Sequence, residues 1–376
     1  MSKIPNGNGL FGYFQCIHDA RQDGKVHHKL LEVIFIVVAA TICRCDDWEE
    51  MEEWAKTREE WLREYLELSN GIPSKSTLCR VFSFIDPKQF VKCFAAWMGE
   101  ITRMSKGTYK VARGSGGDEV NPIHLVNAWC SANRMVLGQI KTDVKSNEIK
   151  AVPELLDLLS LRDCIVTVDA LNTQKAIMAK VVNEKKADYV AALKGNHPTL
   201  HDEVVSYFKD LEEGGFKPSE PLQIYNPKAE KGHGRIEKRQ YYYSTDIDWL
   251  EDKKEWAKLT GIGMVIRKVT IGDKTTEERQ YHLGSVETVD EYSLAVREHW
   301  GVESMHWELD VTFREDANHT RMDKSAENLA LIRRLALNVV KKDTEKYPKK
   351  SLKIRRFNAA LDPEYADYLL RINFGE

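Results

Sequence analysis

One aspartate, Asp169, directly follows a strand-like stretch in the middle of the chain. The stretch Cys164 to Val168 is short, apolar and β-branched, which predicts a buried strand. Open α/β sheets place ligands and catalytic groups at the carboxyl ends of their strands, so a carboxylate here could bind a metal ion or a substrate. An aspartate after a strand can equally cap the turn or helix that follows. The residue types alone leave both interpretations open.

A second acidic group lies between His299 and Asp310. If this segment is helical, Glu303, His306 and Asp310 share one face, because they are related by i+3 and i+4 steps. Such a face could bind a metal ion or form a hydrogen-bonded seam between helices. The spacing is not the HExxH of zinc peptidases, and the chain has no GxSxG, P-loop or strand-linked GxGxxG motif. The simplest hydrolase, kinase and dehydrogenase functions are therefore excluded.

Two loop segments carry polar groups that could contact DNA. Lys194 and Asn196 follow the predicted strand Tyr189 to Leu193, which places a cation at the same sheet edge as Asp169. His233 and Arg235 flank a glycine that would allow the backbone to approach a phosphate closely. We therefore expect these four residues to contact DNA.

Further basic residues lie near the carboxyl end of the chain. Arg333 and Arg334 belong to a predicted helix from Asn328 to Val340, where they could contact DNA or pair with an acid inside the fold. The run 341–356 has eight basic and two acidic residues. Such a run is usually a solvated face, and it is also a candidate phosphate-contacting surface.

The first 105 residues are predicted to be helical. The apolar run Lys29 to Ile42 predicts a buried helix, and Ser74 is placed to cap the helix that follows the loop at 70–74. Four tryptophans recur in this region and are expected in the core rather than on a base-stacking surface. They are Trp48, Trp54, Trp61 and Trp97.

From residue 123 onward the pattern alternates between strands and helices. Strands are predicted at Ile123–Trp129 and Met135–Ile140, and helices at Lys145–Leu159 and Gln174–Glu184. This order favours a mixed α/β sheet with crossover helices. Residues 203–290 break the alternation and are predicted to be a β-rich insertion, after which helices resume.

Composition and charge exclude several classes of protein. With 42% hydrophobic and 30% charged residues, the chain has ample material for a core and is not disordered. The net charge of -3 excludes a uniformly basic nucleic-acid coat, although the 55 Lys and Arg can cluster locally. The seven scattered cysteines suggest neither a disulfide framework nor a zinc site. No membrane span or secretory signal is predicted, so we expect a cytoplasmic protein.

Several blocks along the chain match a known family in the right order. They include HHKLLEVIFIVVAATI, LGQIKTDVKSNEIKAVPELLDLL, IVTVDALNTQKAI, DYVAALKGNHPTLHDEV and HWGVESMHWELDVTFREDANHTRMDKSAENLALIRRLALN. In these blocks the chain resembles the H-repeat-associated family of insertion-sequence transposases. The resemblance covers nearly the whole chain. It implies a ribonuclease H-like catalytic domain with a DDE triad of carboxylates.

The family's chemistry assigns roles to two acids. By motif match, Asp169 is the second acid of the triad and Glu303 the third, and both are expected to bind Mg²⁺ (or Mn²⁺). The resemblance implies two metal ions that activate a water or a DNA 3′-hydroxyl for phosphodiester cleavage and transfer. Hard carboxylate oxygens suit Mg²⁺ better than zinc.

The first acid of the triad is missing from this sequence. The family has Ile-Asp-Gly-Lys-Thr shortly before Arg-Gly-Ser, whereas this chain reads KGTYKVARGS over 106–115. Either Thr108 replaces the aspartate, or a short deletion between Val111 and Ala112 removed it with much of its strand. Asp118 and Glu119 could substitute for it, although they are expected in a solvated turn. Because a neutral side chain cannot hold Mg²⁺, catalysis is expected to be impaired.

These observations together predict a mixed α/β protein with a ribonuclease H-like sheet, a β-rich insertion and an all-helical N-terminal domain. The expected boundaries are 1–105 for the helical domain, 106–345 for the catalytic domain and 346–376 for a basic tail. The expected partners are double-stranded DNA at the element ends and target, and a second copy of the chain. The main alternative is a catalytically dead DNA-binding remnant. An unrelated metal-dependent phosphoesterase would need a third clustered acid.

Overall fold

The computed structural model describes residues 10–22, 24, 26–102, 108–113, 124–142, 148–219, 221–232, 234–299, 301–318, 320 and 322–374. The helices are α1 (Leu10–Phe14), α2 (Leu30–Ile42), α3 (Trp48–Thr57), α4 (Glu59–Leu62), α5 (Lys75–Phe84), α6 (Pro87–Thr102), α7 (Glu148–Asp157), α8 (Lys175–Ala179), α9 (Pro198–Glu213), α10 (Val289–His299), α11 (Gly301–Trp307), α12 (Ser325–Lys341), α13 (Leu352–Leu361) and α14 (Pro363–Phe374). The strands are β1 (Thr108–Arg113), β2 (His124–Cys130), β3 (Met135–Thr142), β4 (Ile165–Val168), β5 (Asp188–Leu193), β6 (Leu222–Tyr225), β7 (Glu230–Gly232), β8 (Arg235–Ser244), β9 (Gly261–Ile271) and β10 (Lys274–Gly284).

Helix α2 is the centre of the helical part. Its residues from Glu32 to Ile42 are all buried, as the apolar run predicts. The one carboxylate among them, Glu32, accepts hydrogen bonds from the backbone N–H groups of Glu67 and Leu68 at 3.2 and 3.3 Å. Helices α3, α5, α12, α13 and α14 pack around α2. The four tryptophans predicted for the core lie in or against it.

One mixed sheet runs through the catalytic region and the insertion. Among the described residues it has ten strands, in the order β3-β2-β1-β4-β5-β10-β9-β8-β6, with β7 paired to β8. Strands β1, β4 and β5 are parallel, and β2 and β3 extend the sheet antiparallel on the β1 side. Strand β10 pairs antiparallel with β5, so the insertion continues the same sheet. This confirms the predicted mixed α/β architecture.

Strand β1 is present even though the family's first acid is missing. It pairs with both β2 and β4, so the sheet has kept this strand at its centre. The register pairs Thr108 with Ile165 and Val111 with Val168. Thr108 therefore lies at the far end of the strand from Asp169, which disagrees with the alignment that puts Thr108 in place of the aspartate. The last pair in this register is Val111 with Val168, so the next residue on β1, Ala112, corresponds to Asp169 on β4.

The insertion begins with a helix rather than with strands. Helix α9 runs from Pro198 to Glu213, so the prediction of a β-rich region starting at 203 was wrong for its first part. Its buried Leu200, Val204 and Phe208 recur every four residues, a helical spacing. The strands that follow, β6 to β10, carry the predicted β-rich part.

The segment predicted as a basic tail contains two packed helices. Tyr365, Leu369 and Leu370 of α14 are buried, and α13 and α14 contact α2 and α12. Arg355 and Arg356 of the basic run are buried too and donate hydrogen bonds to backbone carbonyls. These two arginines were predicted to belong to a solvated or phosphate-contacting face, and their burial contradicts that. Within the described ranges, no helix is both long and apolar enough to cross a bilayer.

Candidate active site

Asp169 lies at the carboxyl end of β4 and is half-buried. Its backbone is still extended, and one carboxylate oxygen, Oδ1, accepts hydrogen bonds from the backbone N–H and the side-chain amide of Asn172, at 3.1 and 2.9 Å. The aspartate therefore caps the 3₁₀ turn Ala170–Asn172, which is the structural role that the sequence left open. Capping by Oδ1 fixes the orientation of the carboxylate at the sheet edge.

The loop after β5 lies beside this turn. Because β4 and β5 pair in parallel, with Val168 opposite Ala191, their carboxyl ends meet at one edge of the sheet. The side-chain amide of Asn196 donates a hydrogen bond to the carbonyl of Ala170. Lys194 is exposed. Burial lowers the pKa of His282 on β10 to about 3, and the positive charge of Lys194 adds to this shift.

Helix α10 contacts the sheet near Asp169, and α11, the next helix along the chain, carries Glu303. The Nδ1 atom of His299, the last residue of α10, lies 3.1 Å from the hydroxyl of Thr167 in β4. Thr167 and Asp169 are two residues apart on extended backbone, so their side chains lie on one face of the sheet. Glu303 follows in the first turn of α11 and is exposed. The structure therefore places Asp169 on the sheet face that the end of α10 contacts.

Packing in the insertion holds α10 in place. Tyr292 of α10 lies directly against the backbone of Gly263 in β9, where a Cβ atom would collide with the tyrosine ring. The hydroxyl of Tyr292 is 2.9 Å from Nδ1 of the buried His282. A glycine at 263 is thus required by the close approach of this helix to the sheet.

Glu303 lines a cleft of about 680 Å³ between the insertion and α10–α11. The basic residues that line it are Arg134, Arg235, Arg239, Arg267, Arg297 and Lys341, and the acidic ones are Glu230, Glu237, Glu298, Glu303 and Glu308. Such a volume is typical of a binding site. The cations come from loops, strands and helices that are distant in sequence, so the fold has gathered them.

The arginines of the cleft surround a buried carboxylate. Glu237 is 4% exposed, and Nε of Arg267 donates to it at 2.7 Å. Arg239 forms a second ion pair with it, and Arg235 lies 3.7 Å away. Burial by itself would raise the pKa of Glu237, but the hydrogen bond from Arg267 and the neighbouring arginine charges hold that pKa below the usual value.

Arg333 and Arg334 do not face this cleft. Both are almost fully buried on α12. Arg334 pairs with Glu315 at 2.7 Å and donates to the side-chain carbonyl of Asn127 at 2.6 Å, while Arg333 donates to the carbonyl of Asp46. Burial lowers the pKa of Arg333. Their predicted DNA contacts are therefore contradicted, and the alternative of an internal ion pair holds for Arg334.

The proposed face of Glu303, His306 and Asp310 is interrupted. Helix α11 ends at Trp307 and continues as a π-helical turn, Glu308–Thr312, which changes the spacing along the chain. Asp310 therefore does not follow Glu303 at α-helical spacing. Within the described residues no group of three or more His, Cys, Asp or Glu side chains is arranged to hold a metal ion. His233, Asp118 and Glu119 lie outside these residues.

Four of the five cleft arginines, Arg134, Arg239, Arg267 and Arg297, were not predicted from the sequence. Arg239 and Arg267 fall inside the predicted β-rich insertion, where they lie on β8 and β9, and Arg297 falls in the helical part predicted after it, on α10. The sequence of β8 did contain a pattern that predicts part of this cluster. Arg235, Glu237 and Arg239 are two residues apart from one another, so on a strand their side chains share one face. The pairing of β8 with β9, which brings Arg267 opposite Arg239, could not be read from the sequence.

Comparisons with known proteins show the family of the chain. The model of the transposase DDE domain matches residues 80–339, and the model of the DDE_Tnp_1-associated region matches 11–98. "Putative transposase YncI" of Escherichia coli O157:H7 is 36% identical, over 96% of this chain and 94% of its own length. "H repeat-associated putative transposase YhhI" of Escherichia coli K12 is 32% identical, over 95% of this chain and 96% of its own.

A solved piggyBac transposase synaptic complex with hairpin DNA aligns with a TM-score of 0.40 and 10% identity, over 95% of this chain and 76% of that one. The family assignment rests instead on the sequence matches, which cover most of the chain. From these matches, the chain belongs to the family of insertion-sequence transposases with a DDE domain.

Proposed function

We propose that this transposase binds the ends of its own element and catalyses metal-dependent DNA strand cleavage and transfer, at a rate reduced by the loss of the first triad acid. The observation that carries the proposal is the position of Glu303 in a cleft that gathers six basic and five acidic side chains, with Arg235 and Arg297 about half exposed. A phosphodiester needs cations around it and a carboxylate-held metal beside it.

We also propose that the core of the sheet is ribonuclease H-like. The support is the strand order β3-β2-β1-β4-β5, with three parallel strands followed on one side by an antiparallel pair. In this arrangement the strands β6 to β10 are an insertion between β5 and α10 in the chain. The helical part, 1–105, is proposed as the family's associated region, a boundary close to the matched 11–98.

Asp169 and Glu303 would hold the metal. Their hard carboxylate oxygens fit Mg²⁺ or Mn²⁺ in type. They do not fit in number, because the described residues offer no set of three acids.

The surrounding residues of the chain position the substrate and the acids. Asn172 orients the Asp169 carboxylate through two hydrogen bonds. Lys194, Asn196 and Arg235 are proposed to contact DNA, since each is exposed near the sheet edge or the cleft. The predicted contact of His233 stays a prediction. So do the second copy of the chain in the DNA complex and the cytoplasmic location.

The second candidate is a DNA-binding remnant without catalysis. The observation that favours it is the register of β1, which puts Ala112 rather than an acid at the position beside Asp169. The same observation indicates which substitution would restore an acid at this position. Ala112→Asp puts a carboxylate at this register position without changing the length of the chain.

A single pair of assays distinguishes the two candidates. Mg²⁺ binding by calorimetry and nicking of DNA that carries the element's ends are measured for the native chain, for Ala112→Asp and for a chain with Asp-Gly-Lys-Thr inserted between Val111 and Ala112. We expect metal binding and nicking to rise in at least one repaired chain. Asp169→Asn in that chain should abolish both, and Arg113→Asp, one residue further along, should not reproduce the gain.

The opposite results are equally informative. Native nicking as fast as that of the repaired chains would contradict the proposed impairment. If Asp118→Ala or Glu119→Ala then abolished it, one of those acids would be the missing ligand. If no repaired chain binds metal or nicks DNA, the remnant is the better description.

A further inference from the structure

Four arginines converge from three elements, namely β8 and β9 of the insertion and α10, which follows it. Arg235 and Arg239 are two positions either side of Glu237 on β8, so all three side chains share a face of the strand. Arg267 on β9 is directly opposite Arg239 in the register. Arg297 reaches the group from α10. We call Arg235, Arg239, Arg267 and Arg297 the arginine cluster.

The pairing of Arg239 with Arg267 is unfavourable for the sheet alone. Like charges directly opposite each other on neighbouring strands destabilise a sheet, whereas an opposite-charge pair at the same place would stabilise it. Glu237 compensates, because both arginines form ion pairs with it inside the cleft wall. A fold-stabilising role for these charges needs only one arginine per carboxylate.

A second glutamate joins the cluster to α10. Both carboxylate oxygens of Glu230, on β7, accept hydrogen bonds from Arg297, at 3.1 and 2.9 Å. The same residue lies 3.4 Å from Arg239. The planar guanidinium groups are thereby held in fixed positions, which lowers the entropy lost when they bind an anion. Arg235 and Arg297 remain about half exposed.

All four arginines open into the cleft that contains Glu303. The four arginines pair with three carboxylates, those of Glu230, Glu237 and Glu278, and the whole cleft is lined by six basic and five acidic side chains. One positive charge is left over, and the half-exposed Arg235 and Arg297 present forks of N–H donors that match the oxygens of a phosphate.

We propose that the arginine cluster binds the phosphodiester backbone of a DNA strand beside Glu303, and that Glu237 is the positioning residue that sets the direction of Arg239 and Arg267. The proposal rests on the proposed function for its ligand. It assigns the substrate contact to the wall formed by β8, β9 and α10, and it makes the insertion part of the DNA-binding cleft.

The test measures DNA binding without catalysis. A short fluorescein-labelled DNA duplex of mixed sequence is titrated with the full chain in EDTA, and the affinity is followed against salt concentration by fluorescence anisotropy. We expect Arg267→Gln and Arg297→Gln each to weaken binding about tenfold, as for the loss of a charged hydrogen bond. Each should reduce the slope of log K against log salt by about 1.

A matched control comes from the other face of the same ribbon. Arg279 on β10 forms an ion-pair network with Glu212 and Glu277, but it does not line the cleft. Arg279→Gln removes the same charge and should leave affinity and slope close to those of the native chain. Equal effects of all three variants, or no effect of any, would overturn the proposal.

Glu237→Gln tests positioning separately from net charge. This variant gains one unit of positive charge, so a purely electrostatic cleft would bind DNA more tightly. We expect weaker binding instead, because Arg239 and Arg267 lose the carboxylate that orients them, and Glu237→Asp should restore part of the affinity. Tighter binding by Glu237→Gln would refute the positioning role. Its thermal unfolding, measured alongside, shows whether the variant is folded under the titration conditions.

These measurements separate the two proposals. Since EDTA removes divalent metal, loss of binding in the cluster variants does not depend on whether the chain cleaves DNA. A chain that binds through the cluster but never cleaves DNA, even after repair at Ala112, would refute the catalytic function alone.

Discussion

At the scale of single residues, this protein has charged side chains in its buried interior as well as at its cleft. Asp46 and Arg356 form an ion pair at 2.5 Å, with the guanidinium fully buried. Arg356 also donates to the carbonyls of Thr41 and Thr312, so it connects the end of α2, the loop before α3 and the π-helical turn after α11. Burial lowers the pKa of Arg356 despite the nearby carboxylate. Such a group depends on every partner that compensates its desolvation.

Asp46→Asn should therefore be strongly destabilising. The change keeps the shape of the side chain but leaves a buried guanidinium without its counter-charge, and we expect the free energy of unfolding to fall by about 3–5 kcal/mol. Urea unfolding followed by circular dichroism measures the change. The control is Asp367→Asn, which breaks the exposed pair with Arg371 at 2.6 Å and should cost less than about 1 kcal/mol. Similar losses in both variants would contradict the importance of burial.

At the scale of elements, the start of α5 is the clearest case of a local signal that acts as predicted. The hydroxyl of Ser74 accepts a hydrogen bond from the backbone N–H of Thr77 at 3.3 Å, and the serine is otherwise exposed. This is the N-cap that the sequence predicts. The same hydroxyl lies 3.1 Å from the hydroxyl of Thr77, so a substitution here tests the two hydrogen bonds that join Ser74 to Thr77.

Ser74→Ala should lower the free energy of unfolding by about 1 kcal/mol, because the first turn of α5 loses a hydrogen-bond acceptor. Ser74→Asn keeps a capping oxygen and should retain most of the native stability. Urea midpoints of the two variants make the comparison, provided that the dependence on urea is unchanged. An alanine variant as stable as the asparagine variant would show that the cap contributes nothing.

Local patterns predicted most helices and strands but not how they pair. The apolar run of α2 and the β-branched run of β4 are encoded within a few residues, and both formed where expected. Helix α9 was not predicted, because its few buried apolar residues are separated by polar and charged neighbours. In the candidate site, the position of Asp169 followed from its strand, whereas the arginine cluster depends on contacts between β8, β9 and α10. Such long-range pairing leaves little trace in any local window.

At the scale of the whole molecule, the two ends of the chain form one helical layer. Helices α12, α13 and α14 pack on α2, and the Asp46–Arg356 pair lies within this layer. The predicted helical domain 1–105 thus shares its core with residues from the last fifth of the chain. The apolar residues of α2 would be exposed to water if those helices were absent.

We therefore predict that a fragment of residues 1–105 does not fold on its own. It should show reduced helicity and no sharp urea transition, because α2 loses the faces that α12, α13 and α14 cover. Circular dichroism of the fragment, alone and mixed with a fragment of residues 106–376, measures this directly. Mixing should restore helical signal and a cooperative transition. A cooperative transition in 1–105 alone would show instead that the N-terminal helices are an independent domain, and that the carboxyl-terminal helices only cover a core that is already formed.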